Sequence, residues 1–161
     1  MKKIVLAIII MVCGVCFITG CGKKEKNNET EQPKTVAAEL GKVFETAIKE
    51  EKDIEKVAKK IAESEIIVPE VQSFAINDGD YLAGFKEEIT GYKKAVGIAP
   101  MISTIPMIAY VFEVEEPEAF SKTLEENADL RWNICIEAEE MKTVIVDNYV
   151  FFIMSPNNFE E

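Results

Sequence analysis

The chain predicts an α+β fold: a small antiparallel sheet made of one strand, a helix and a C-terminal hairpin, covered by two N-terminal amphipathic helices. Three patterns predict it. Apolar residues recur at helical spacing between Val36 and Ala62. Apolar residues fill both alternating faces of Ile105–Glu115. Two β-rich runs flank Asp147-Asn148 near the C-terminus. Helical stripes and period-2 alternation are the primary signals of their elements, and segregated helices and strands point to an α+β arrangement.

In the first helix, Val36, Leu40, Val43, Phe44, Ala47 and Ile48 fall on one stripe, with Thr35 as its N-cap. A charged break follows at Glu50–Lys52. Asp53 then caps a second helix whose stripe is Ile54, Val57, Ala58, Ile61 and Ala62. Each stripe must be buried, and both are too short to sustain a coiled coil. Residues 66–75 read as irregular around Pro69. Asn77-Asp78-Gly79-Asp80 is a turn. Tyr81 to about Gly97 reads as a helix containing Ile89, Tyr92, Lys93 and Val96, ended by Pro100. In the strand at 105–115, Ile108, Tyr110, Phe112 and Val114 share one face, and Met107, Ala109 and Val111 the other. Two apolar faces predict a strand covered on both sides. Pro117 suits the first position of a helix, with Glu115, Glu116 and Glu118 at its positive end and Phe120, Leu124 and Ala128 as its stripe. Arg131–Ala138 fits either a strand (Trp132, Ile134, Ile136) or a continued helix (Arg131, Cys135, Ala138), and Cys135 reads as a small buried hydrophobe. In the hairpin, a two-residue type I′ turn at Asp147-Asn148 pairs Val146 with Tyr149 and Val144 with Phe151.

The N-terminus reads as a targeting signal. Lys2 and Lys3 precede an uncharged apolar run from Ile4 to Thr19. Its length sits between the roughly 7–15 residues of a signal h-region and the about 20 of a spanning helix, so length alone does not decide. Its end does. Ile18-Thr19-Gly20-Cys21 resembles the lipobox of bacterial lipoproteins. Small residues at Thr19 and Gly20 let the backbone enter a peptidase cleft, and the Cys21 thiol would accept diacylglycerol as a thioether. The division is then signal peptide 1–20, lipidated flexible tether 21–34 and an α+β domain 35–161. The tether is polar, with Lys23, Lys24 and Lys26 beside the anchor. It would reach roughly 20 Å as a coil.

Two further stretches carry a family resemblance. Gly91-Tyr92-Lys93-Lys94-Ala95 through Ile98–Pro106, and Ala128–Cys135 with Glu139-Glu140-Met141 after it, resemble parts of small lipoproteins of Gram-positive, clostridial-type bacteria. Val150–Pro156 fits the same family. The resemblance covers about the last half of the chain and the lipobox. It implies attachment to the outer face of the cytoplasmic membrane and carries over no activity and no site residue.

Composition narrows the chemistry. Removing residues 1–20 takes away Lys2 and Lys3 and no acid, so the formal charge goes from −11 to −13 (16 basic, 29 acidic). Such a chain repels nucleic acid and anionic lipid surfaces. It has no His, which excludes Ser-His-Asp and Cys-His catalysis and His-ligated metals. No phosphate-binding Gly loop or nucleophile elbow is present. The acidic groups 113–118 and 137–140 read as solvated faces. In Asn77–Asp80 the Gly sits at the wrong position for a Ca²⁺ loop. No enzyme, cofactor or metal is predicted.

Two features remain as a candidate partner or ligand surface. Met101, Ile102, Ile105 and Met107 form an apolar segment bracketed by Pro100 and Pro106. It is either the start of a buried strand or a contact surface. Arg131, the only arginine, adjoins the only tryptophan, Trp132. It is expected to stack on that ring or pair with a carboxylate, or else to bind an anionic ligand. The leading expectation is a non-enzymatic envelope lipoprotein that binds or organises another envelope protein. A small-ligand or peptide binder is the alternative, and a carboxylate-based cell-wall hydrolase ranks third.

Overall fold

The structure is a computed structural model that describes residues 34–159 except 78 and 103. The first helix, α1 (Val36–Glu50), starts where Thr35 accepts a hydrogen bond from the Ala38 N–H, and the second, α2 (Ile54–Ala62), where Asp53 accepts one from Glu55. Both caps and both stripes are as the sequence predicts. Asp53→Ala leaves the Glu55 N–H without its partner and is expected to cost about 1 kcal/mol, read as a lower urea midpoint with an unchanged slope.

The sheet is larger than expected. It has five strands in the order β1-β2-β3-β5-β4, all antiparallel: β1 (Val71–Ile76), β2 (Tyr92–Pro100), β3 (Ile108–Val114), β4 (Glu140–Val146) and β5 (Tyr149–Ser155). A helix, α3 (Pro117–Asn127), joins β3 to β4 and carries its Pro in the first turn. The α+β class therefore holds, but the small sheet of one strand and a hairpin is corrected to five strands.

Two expectations fail in the first half of the chain. Residues 71–76 form a strand, not an irregular segment. Residues 81–97 are not a helix: 81–91 run irregularly and 92–97 belong to β2. The physical reason lies in the burial of β2. Val96 and Ile98 face one side of the sheet and Ala95 and Gly97 the other, all buried. A strand covered on both faces loses its alternation, and its small residues then imitate a helical stripe.

β3 lies in the middle of the sheet. Its Ile108, Tyr110, Phe112 and Val114 join Val150, Phe152 and Met154 under α3 and the segment containing Leu82, Phe85 and Ile89. The other face, with Val96, Ile98, Ala109, Val111, Phe151 and Ile153, packs under α1 and α2. The sheet is thus sandwiched between two apolar layers. Tyr110 is buried and its hydroxyl donates to the Ala83 carbonyl at 2.9 Å, pinning the irregular segment to the sheet. Burial raises its pKa well above the ordinary tyrosine range, so it stays a donor.

The C-terminal hairpin has the predicted register, Val146↔Tyr149 and Val144↔Phe151. Its turn is not the predicted type I′. Asp147 takes a positive φ of 54°, and Asn148 does not, whereas type I′ needs positive φ at both. The Asn148 side chain instead donates to the Val114 carbonyl, tying the turn to the end of β3.

Candidate functional site

Exposed large apolar side chains gather at one end of the sheet. Four segments build this end: 64–70 leading into β1, the β2–β3 connection at 101–107, the α3–β4 connection at 129–139, and the residues after β5. The first three expose Val68, Met101, Ile102, Ile134 and Ile136, with Ile134 98% and Ile102 65% accessible, and the last adds half-buried Phe159. Two open grooves lie among them. One, of about 440 Å³, runs between Ala99, Ile105, Met107 and Trp132–Cys135. The other, of about 450 Å³, is lined by Val68, Pro69, Ile105, Ile136 and Phe159. Ile105 borders both.

The 101–107 segment divides: its end enters the buried strand β3, as one expectation had it, and its start is exposed. Pro106 and Met107 are buried and lead into β3, with Met107 only 2% accessible. Met101 and Ile102 stand in solvent. The Met101 N–H donates to the Glu70 carbonyl at 2.9 Å, which extends the β1–β2 pairing by one bond and aims the connection outward. Ile105 is half-buried between the two.

Residues 131–138 form neither the strand nor the helix that the sequence allows. Asp129 Oδ1 accepts from the Arg131 N–H at 3.0 Å, and Asn133 Oδ1 from the Cys135 N–H at 3.4 Å. The backbone closes turns from Trp132 to Asp129 and from Ile136 to Asn133. Short polar side chains that bond their own backbone compete with regular structure. Cys135 is exposed, which corrects its reading as a buried hydrophobe. Its neighbour Ile134 is pushed outward by the same turns. Arg131 Nε lies 3.7 Å from Glu137 Oε2 on the surface. The expected carboxylate pair therefore exists, as an exposed ion pair of small energetic weight. Trp132 is half-buried and lines the first groove.

The structure thus brings Met101, Ile102, Ile105, Met107, Arg131 and Trp132 to one end of the domain. Sequence reasoning missed Val68, Ile134, Ile136 and Phe159. Val68 beside Pro69, in a stretch without periodicity, was the available signal, because an apolar residue in a loop is not explained by an amphipathic element. The lipobox residues Ile18, Thr19, Gly20 and Cys21 lie outside the described residues.

Asp80 accepts from the Asn77 N–H at 2.7 Å and from its side-chain amide at 2.9 Å. These bonds close the predicted turn and lower the Asp80 pKa. Glu115, Glu116, Glu118, Glu137 and Glu139 are exposed. Glu140 and Ser155 face each other across β4 and β5, and Glu140 Oε2 and Ser155 Oγ are buried without a hydrogen-bond partner. One carboxylate beside a hydroxyl is not the convergent carboxylate pair that glycoside hydrolysis uses. Among the described residues no group of His, Cys, Asp and Glu is arranged to hold a metal, and no helix is long and apolar enough to cross a membrane.

Compared with known proteins, the chain matches no family model, no curated protein and no solved structure.

Proposed function

We propose that this protein is a cell-envelope lipoprotein, anchored through acylated Cys21 to the outer face of the cytoplasmic membrane, whose α+β domain binds another envelope component without catalysing a reaction. The observation that carries the binding role is the apolar end of the domain. Scattered exposed apolar residues are ordinary, but five gathered on three connections at one end of a sheet point to an interaction surface. The anchor rests on Ile18-Thr19-Gly20-Cys21 after an uncharged apolar run. The resemblance of residues 91–106 and 128–141 to small Gram-positive lipoproteins supports the same location.

A second reading, capture of a small apolar ligand or a peptide, is favoured by one observation. Each groove has a volume within the range of small-molecule sites, roughly 300–1,000 Å³, and is bordered mainly by apolar side chains.

The anchor is tested by Cys21→Ala. The unaltered protein is expected in the membrane fraction, with an N-terminal peptide beginning at Cys21 and heavier by a diacylglycerol. The variant should keep its first 20 residues and carry no lipid. An unaltered protein with an unmodified Cys21 would overturn the anchor.

A further inference from the structure

Resting on the reading of Cys21 as the anchor, we propose that the apolar end of the domain docks a membrane-proximal segment of another envelope protein, apolar at its centre and flanked by lysine or arginine. Where the chain enters the domain sets the location. The Val36 N–H donates to the Asn157 carbonyl at 3.0 Å. Asn157 lies between Pro156 and Asn158, which border the second groove. The described chain therefore begins, at Lys34, beside the rim of the apolar surface. From Cys21 to Lys34 a fully extended chain spans at most about 45 Å. An anchor at Cys21 keeps this end within that distance of the bilayer and raises its effective concentration for partners there.

Charge selects the kind of partner. The connections framing the surface carry Glu65, Glu70, Asp129, Glu137 and Glu139, against Arg131 and, where the chain enters, Lys34. Arg131 and Glu137 pair with and offset each other, which leaves Glu65, Glu70, Asp129 and Glu139 against Lys34. A surface made to lie on anionic headgroups wants cations around its apolar residues, and this rim has the opposite sign. A protein segment with basic flanks finds both matches: apolar side chains for the grooves beside Ile105, and cations for the carboxylates. Such complementarity speeds encounter and fixes register.

The test places a photo-crosslinking phenylalanine analogue at Ile102 or Ile134 of the full-length protein in intact cells. The same probe at Lys122, exposed on α3, gives the background. The expected result is one protein adduct, enriched over Lys122, whose crosslinked peptide is an apolar stretch next to Lys or Arg. Combining Glu65→Lys with Glu70→Lys should lower its yield roughly fivefold, because like charges then oppose one another across the interface. Adducts to lipid, to a second copy of this chain, or to a segment without basic flanks would overturn the proposal. So would a yield no higher than at Lys122, or one indifferent to the charge reversal. The two readings fail separately. A lipidated Cys21 without the adduct removes the docking surface and leaves the anchor. An unlipidated Cys21 with the adduct does the reverse.

Discussion

Phe44→Ala is expected to lower the stability of the unlipidated chain by about 4 kcal/mol, a large share of the roughly 5–15 kcal/mol that holds a typical domain together. Phe44 is fully buried on the inner face of α1. Its ring stacks on Phe151 of β5 at a centroid distance of 5.4 Å and an interplanar angle of 19°. Truncation removes the transfer free energy of the ring and leaves a void between a helix and the sheet. The helix is tied to neighbouring Leu40 and Ile48, also fully buried, so it cannot simply move in to fill it. Phe74→Ala is the comparison. Phe74 lies on edge strand β1, 37% accessible, with its ring over Gly97, and its truncation should cost about 1–2 kcal/mol. Urea denaturation of both variants checks the pair. Equal losses would mean that α1 is not clamped to the sheet through Phe44.

Gly84→Ala is expected to cost about 3 kcal/mol, the sum of a backbone and a packing contribution. Gly84 has φ of +94°, and a Cβ there would sit 2.4 Å from Met154 Cε and 3.2 Å from Ile108 Cγ2. The Met154 methyl can swing away, but the branched Ile108 side chain in the central strand yields less readily. The Gly84 carbonyl also accepts from the Asp129 N–H at 2.8 Å, so a shift of this segment would disturb the start of the 129–139 connection. Gly91 separates the two contributions. Its φ is also +94°, yet nothing lies within 4 Å of a Cβ built there. Gly91→Ala should therefore show the backbone strain alone, about 1 kcal/mol. If the two variants prove equally stable, the close approach of Gly84 to Met154 and Ile108 carries no energetic weight.

The elements that could be read from the sequence are those whose determinants lie close together along the chain. The α1 and α2 stripes repeat within four residues, and Thr35 and Asp53 bond to amides two or three positions away. The register of the β4–β5 hairpin follows from a two-residue loop. Central strand β3 announces itself because both of its faces are apolar. Strand β1 gave no such signal. Its middle residues are exposed, and what makes Val71–Ile76 a strand is its pairing with Ala95–Pro100, 19 to 29 positions later.

The candidate site divides the same way. Sequence alone determined that the 101–107 segment is apolar where a connection should be wet, that the only arginine, Arg131, adjoins the only tryptophan, Trp132, and that Cys21 ends a lipobox-like motif. It also determined the acidic charge and the absence of His, which limit the chemistry. Only the tertiary structure decided which apolar residues face solvent. Met107 and Ile102 are alike in hydrophobicity, yet one is buried at the start of β3 and the other projects from the turn before it. Ile134 and Ile136 look like strand residues until Asp129 and Asn133 bond their own backbone and turn them outward. The antiparallel sheet then brings Val68, Ile102 and Ile134 to the same end as the start of α1. Burial depends on what packs across from a residue, and here that partner comes from a distant part of the chain.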